Sequence, residues 1–430
     1  MSDQSIEERG DNRSQRPSSK AFKDLMAAGW GDSPVPAAYT KRLEGAESAA
    51  AARSALARQF PGDRLVFPAG RPKIRANDSE YRFRPHSAFI HLTGLGMDQE
   101  PEAVLLLEPV ADTEAALASG AETHQATLFL RPPSPKNTPE FYADSANGEF
   151  WVGRRPSLEQ MAEVTGLPTA DIKTLPEALA KDAAKIAIRL MPDADPYVSQ
   201  QVQQVREEAG ISEPASQDPD QSPDAKLAEA AAEARLVKDA YGIGQIRQAI
   251  AATIKGYERV VQALPQAKEA TRGERVVEAA FEAWARVDGN GPGYPTIAAA
   301  GPNATTLHWV DNTGPVKDGD LLLVDAGVEV DSLYTADLTR TFPVNGRFSP
   351  VQRRVYQAVV EAADAAFAAA VPGNLYRDMH QAAMEVIASY LEQWGLLTVS
   401  AAEALKPEGQ QHRRWMVHGT GHHLGLDVHD

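Results

Sequence analysis

The sequence predicts an α/β protein built as two domains, and three observations carry that prediction. A chain of 430 residues exceeds what one hydrophobic core usually serves, since roughly 150 residues per domain is the ordinary proportion. Short apolar runs bounded by Gly, Pro and charged residues alternate with helical patterns, as strands and helices do in an α/β layer. Between the two halves lies "SEPASQDPDQSPDAK", whose Pro, Ser, Asp and Gln give it the composition of an exposed linker. The expected organisation is a disordered polar tail over 1–35, a first α/β domain over 36–210, a linker over 211–225 and a second domain over 226–430.

Each element has its own signal. The opening "MSDQSIEERGDNRSQRPSSK" carries acids as well as bases and has no apolar core of a secretory signal, so it reads as a tail. "AAYTKRLEGAESAAAARSALARQF" has a helical pattern, while "DRLVFPAG", "EAVLLLEP" and "TLFLRPP" are the short apolar runs of buried strands. After the linker, Lys226 to Leu264 is one long amphipathic helical stretch, and Glu274 to Val287 is a second helix ended by the glycines of "DGNGPG". "GIGQIR", from Gly242, partly imitates a dinucleotide fingerprint, but its third glycine is missing and no strand precedes it, so helix is the better reading. "DLLLVDAGVEV" and "YTADLTRTFPV" read as neighbouring strands joined by a turn at Asp331 and Ser332. Ser349 followed by Pro350 is an N-cap and first helical residue, starting a helix that runs to about Ala370, where "VPG" stops it. Another helix spans Tyr376 to Trp394, and Leu397 to Arg414 is a polar connection into the final segment.

Composition excludes several function classes. A formal net charge of −16 repels a phosphate backbone, so nucleic acid is not an expected partner. Cysteine is absent, which leaves no disulfide, thiol nucleophile or thiolate site, and any metal must be held by His, Asp and Glu. No stretch approaches the roughly 20 uninterrupted apolar residues of a membrane span, so no membrane partner is expected and the location expected is the cytoplasm.

The residues suited to chemistry lie in the second half. Asp325 ends the run "LLLVD", where a carboxylate is costly to bury without a partner. Asp337 follows twelve residues later, and a hairpin of that length brings two strand-borne carboxylates face to face, where they repel unless a cation lies between them. Taken alone, Asp325 reads better as a turn former before "AG" and Asp337 as a cap. "VHGTGHHLGLDVHD" then packs four of the ten histidines into the last thirteen residues. His418 and His422 are spaced i, i+4 like the helical pair of zinc proteases, but no Glu follows His418, and Gly419 and Gly421 oppose a helix. A glycine-flanked loop or strand also lets a histidine reach a metal, and imidazole with carboxylates suits Mn, Fe, Co or Zn.

"DLLLVDAG", "ADLTRTFPVNGRFSPVQRRVYQAV" and "HGTGHHLGLDVHD", in that order and spacing, resemble the metal-dependent aminopeptidase P family, which removes an N-terminal residue preceding proline. The resemblance continues through "YPTIAAAGPNATTLHW", "NDSEYRFRPHSAFIHLTG" and "EFWVGRRP", covering most of residues 60–430. It implies an N-terminal creatinase/aminopeptidase-P-type α/β domain followed by a pita-bread metallopeptidase domain, whose curved sheet holds two divalent metal ions, Mn2+ being the ion expected. Carried over by position, the metal ligands are Asp325, Asp337 and His422. The catalytic histidines are His418 and His429, and His308 is substrate-binding. His423 falls on a variable position and is given only packing or solvent. The resemblance further implies a homo-oligomer, dimer or tetramer, and two more strands after the histidine segment, each with a glutamate ligand. The chain stops at Asp430 before both, so its catalytic domain is expected to be C-terminally incomplete.

The function expected is hydrolysis of the N-terminal Xaa-Pro bond by a metal-bridging hydroxide. Two alternatives stand beside it: a prolidase, restricted to Xaa-Pro dipeptides, and a peptidase-like binding module that has lost its metals. Retention of Asp325, Asp337, His418, His422 and His429 together speaks against the last.

Overall fold

The apolar runs of the first half become adjoining strands because each is buried on both faces. A computed structural model describes residues 19–31, 36–77, 79–211 and 222–430, and the chain divides into two compact units after Ala234. In the first unit, β1 (Arg64–Pro68), β2 (Val104–Pro109), β3 (His124–Leu130), β4 (Thr169–Asp171) and β5 (Ile188–Leu190) form one sheet in the order β4-β3-β2-β1-β5. The β1–β2 and β2–β3 pairs are antiparallel, while β1–β5 and β3–β4 are parallel. Successive side chains point to opposite faces, so Leu65, Phe67, Leu105 and Leu107 enter one core and Val66, Val104 and Leu106 another. Helices Ala46–Ala57 and Ser87–Thr93 cover the first face, and helices Leu175–Ala180 and Pro196–Glu208 the second.

Arg64 lies wholly inside this unit. It persists there because its guanidinium donates to both Glu108 carboxylate oxygens, at 2.6 and 2.9 Å, and to the carbonyls of Leu179 and Lys181. Within the segment expected as a tail, Lys20–Ala27 form a helix capped by Ser19, while residues 1–18 and 32–35 lie outside the described residues. Residues 212–221 of the expected linker also lie outside them, and helix α1 (Pro223–Leu236) begins inside its span.

The single helical stretch expected over Lys226 to Leu264 is instead two helices, α1 and α2 (Ala240–Glu269). Asp239 causes the break, since its side chain accepts the Gly242 N–H at 2.8 Å and caps a new helix. "GIGQIR" lies inside α2. Next come α3 (Gly273–Asp288), β6 (Gly291–Pro292), β7 (Ile297–Ala300), β8 (Leu321–Ala326), β9 (Val328–Glu329) and β10 (Leu338–Pro343). β10, β8 and β7 form an antiparallel sheet in that order, and β9 pairs with β6. Leu322, Val324 and Ala326 face a core built with Val260, Val277 and Phe281 of α2 and α3.

Ser349 and Gln352 form a reciprocal capping box at the start of α4 (Pro350–Ala369), which packs on α5 (Tyr376–Gln393) through Ala362, Ala383 and Met384. The polar connection that follows contains two short turns of helix, Ala401–Ala404 and Gln411–Arg414. Residues 415–430 adopt no helix or strand. Among the described residues, no helix is long and apolar enough to cross a membrane.

Candidate metal centre

The alternation of β8 decides where Asp325 points. Leu322, Val324 and Ala326 are buried in the core, so Leu321, Leu323 and Asp325 share the opposite, half-buried face. The chain returns through a turn in which Leu333 N–H donates to Val330 O at 2.8 Å, with Asp331 and Ser332 at its tip. Asp337, expected on the second strand, lies one residue ahead of it, and Asp325 pairs with Thr339 across the ladder. Gly327 permits this approach: a Cβ there would stand 1.7 Å from the carbonyl oxygen of Ala336.

Two tyrosines organise the pair of acids, and sequence reasoning singled out neither. The Tyr294 hydroxyl lies 2.6 Å from Asp325 Oδ1 and 2.8 Å from Asp337 Oδ1. One phenol has one proton, so it serves only one of these oxygens at a time. Burial holds the Asp325 carboxyl above the usual carboxylate range; the Tyr294 hydrogen bond opposes this and the Asp337 charge adds to it. Burial, then the same two carboxylates, push the Tyr294 phenol up. Tyr257, on α2, places its hydroxyl 2.8 Å from Val324 O and 2.5 Å from Leu338 O, tying together the strand residues beside each aspartate. Tyr294 stands at the head of "YPTIAAAGPN", yet only the pairing of β6 with β9 shows what its hydroxyl meets.

The histidine segment is held along this hairpin. Thr335 N–H donates to Gly425 O at 3.0 Å, and Asp430 forms ion pairs with Arg235 at 2.7 Å and Lys238 at 3.0 Å. His422 Nε2 stands 3.0 Å from Asp337 Oδ2, while its Nδ1 stands 2.8 Å from His423 O. A carbonyl only accepts, so Nδ1 carries the proton and a neutral His422 turns the Nε2 lone pair towards a carboxylate. The His429 ring centroid is 4.3 Å from that of His422. His423 stacks on Tyr376 at 5.0 Å.

His308 and His418 stand apart from this chain of contacts. His418 Nδ1 meets Gly419 O at 2.6 Å, and both side chains are exposed. The structure thus brings Asp325, Asp337 and His422 together with His429 beside them, and does not bring in His308 or His418. Among the described residues, no three His, Asp or Glu side chains surround one point as an assembled ion site, and the Tyr294 hydroxyl stands between the two carboxylates. The donors nonetheless fit a divalent cation in kind. Two carboxylates on one tyrosine hydroxyl, with an imidazole nitrogen 3.0 Å from the second, are the donor types that oxygen- and imidazole-seeking ions take.

Residues 244–430 match the model for metallopeptidase family M24, and residues 49–188 match that for the aminopeptidase P N-terminal domain. Xaa-Pro aminopeptidase 1 of Streptomyces coelicolor is 42% identical over 412 residues, which take in 96% of this chain and 77% of the relative. The Xaa-Pro aminopeptidase of Escherichia coli is 29% identical over 387 residues, 88% of this chain and 80% of its own. Among solved structures, zinc-substituted E. coli aminopeptidase P in complex with product superposes with a TM-score of 0.73 at 27% identity, covering 90% of this chain and 81% of that one. Proline aminopeptidase P II from Yersinia pestis gives 0.73 at 28% identity, with 90% and 82% covered.

Proposed function

Because the chain belongs to the Xaa-Pro aminopeptidase family of M24 metallopeptidases, and is accordingly a metal-dependent aminopeptidase, we propose that it removes the amino-terminal residue from peptides with proline second. The observation that carries this reading is the contact chain Asp325–Tyr294–Asp337–His422, built by paired strands and a distant histidine. Asp325, Asp337 and His422 are the residues that would hold the divalent ions, two in our reading and Mn2+ by choice. Such ions supply a Lewis acid that lowers the pKa of water towards neutrality and polarises the scissile carbonyl.

The chain's own residues do the rest. An Xaa-Pro bond has no amide N–H and its ring fixes φ, so recognition rests on shape and on the free amine. Asp325 presents a carboxylate to that ammonium from its half-buried face. His429, beside His422, donates to the carbonyl oxygen and steadies charge on it as the tetrahedral species forms, a role that His418, apart from these contacts in this structure, shares by sequence position alone. His308 contacts the peptide.

The test is hydrolysis of Ala-Pro-Ala, Ala-Pro and Ala-Ala-Ala by the Mn2+-loaded chain, with bound metal counted by mass spectrometry. Release of Ala from Ala-Pro-Ala, absent with Ala-Ala-Ala and abolished by chelation, is the expected outcome. Cleavage of Ala-Pro alone replaces it with a dipeptidase, and peptide binding without any cleavage replaces it with a binding module.

A further inference from the structure

One buried carboxylate takes no part in the metal centre. Glu274 lies in the first turn of α3 with 0% of its surface exposed. Four neutral donors converge on it. Oε1 accepts from the Ala300 N–H at 2.7 Å and from Asn303 Nδ2 at 2.9 Å, while Oε2 accepts from Trp309 Nε1 at 2.8 Å and from the Gly314 N–H at 2.6 Å. The backbone N–H of Glu274 donates in return to Gly314 O at 3.1 Å. The lone-pair positions of the carboxylate are therefore filled, and the charge is offset by oriented dipoles and by the start of a helix. The space is closed as well. A Cβ at Gly314 would stand 2.8 Å from Glu274 Oε2 and 2.4 Å from Asn303 Nδ2.

All four donors belong to one stretch, residues 300–314, which leaves β7 and carries His308. None comes from another part of the unit. Near the far end of the same stretch, buried Asn312 accepts the Ala298 N–H at 2.9 Å and donates to Thr296 O at 2.8 Å. A carboxylate kept only to fill the core would not gather the beginning, middle and end of a single loop.

We propose that Glu274 is a positioning residue for peptide binding: it fixes residues 300–314 as one unit so that exposed His308 is held in place for the substrate. The proposal rests on the reading of His308 as a peptide-binding residue.

Glu274→Gln keeps the shape but turns one acceptor into a donor facing donors. In the Mn2+-loaded full chain, the Ala300 and Gly314 amides are expected to exchange with deuterium on the order of a hundred times faster, as local opening becomes easier. KM for Ala-Pro-Ala rises on the order of tenfold, as in His308→Ala, with kcat and metal content nearly kept. The double variant is no worse than His308→Ala alone.

Unchanged exchange at Ala300 and Gly314 overturns the proposal. So do losses that multiply in the double variant, because the two residues then act separately. An unchanged KM in His308→Ala overturns the peptide-binding reading and this role with it, and the exchange data still report whether Glu274 fixes the loop. If Glu274→Gln does not fold, Trp309→Phe deletes a single donor. Faster exchange with a raised KM in that variant supports the role, and faster exchange with an unchanged KM overturns it.

Discussion

His422 Nε2 stands 3.0 Å from Asp337 Oδ2, although 85 residues separate them in the chain. With the His422 Nδ1 proton directed to His423 O, the facing atoms are two acceptors, an arrangement that a proton or a cation must bridge. His422→Ala and Asp325→Ala are each expected to lose bound divalent ion, read by mass spectrometry of the desalted protein, and to lose at least about a hundredfold in turnover. Full metal occupancy with normal turnover in either variant removes these residues from the metal centre.

The His429 ring lies tilted beside that of His422, with 4.3 Å between centroids, and its removal is expected to separate metal binding from catalysis. His429→Ala should keep its metal and lose turnover by about 10²–10³-fold, the scale of a deleted oxyanion donor. Unchanged kcat would make His429 a packing residue.

Much of this site was legible because it is local. The aspartates end or adjoin apolar runs whose period-two pattern fixes the face they occupy, and glycines flank a histidine cluster that no helix accommodates. Tyr294, Tyr257 and Glu274 were not legible, because each acts through contacts across 26 to 81 positions that only strand register and helix packing create. The helix break at Asp239 was hidden for another reason: apolar periodicity runs through it, and only the capped Gly242 N–H reveals that a new helix begins.

Acid should weaken the first unit through His124. This side chain is buried, with Nε2 donating to Asp63 O at 2.8 Å and Nδ1 accepting from the Thr123 hydroxyl at 3.0 Å, so the neutral ring is fully paired. Burial lowers its pKa below the ordinary value of 6.5. The unfolded chain therefore takes up this proton first. His124 contributes stability in full above about pH 6.5, and loses it as pH falls towards the lower folded value. The fall in Tm between pH 7.5 and pH 5.5 should be smaller in His124→Gln, a variant less stable throughout. An equal fall in both proteins assigns the acid sensitivity elsewhere.

Gly256 links helix packing to the metal centre. It lies in α2, where an added Cβ would meet the Phe281 ring at 2.6 and 2.8 Å, and Phe281 is fully buried. That ring meets Tyr257 edge-on at 6.0 Å, and Tyr257 ties Val324 to Leu338 beside the two aspartates. Helix propensity alone favours Gly256→Ala by about 1 kcal/mol, while overpacking a closed core costs about 1–3 kcal/mol. The second term wins because a buried ring between two helices cannot swing aside without moving its neighbours. Gly256→Ala should therefore be destabilised by up to about 2 kcal/mol in denaturant unfolding, and should bind divalent metal more weakly. A stabilised variant with undiminished metal affinity would mean that the α2–α3 contact yields freely and that Tyr257 does not pass its position on to the aspartates.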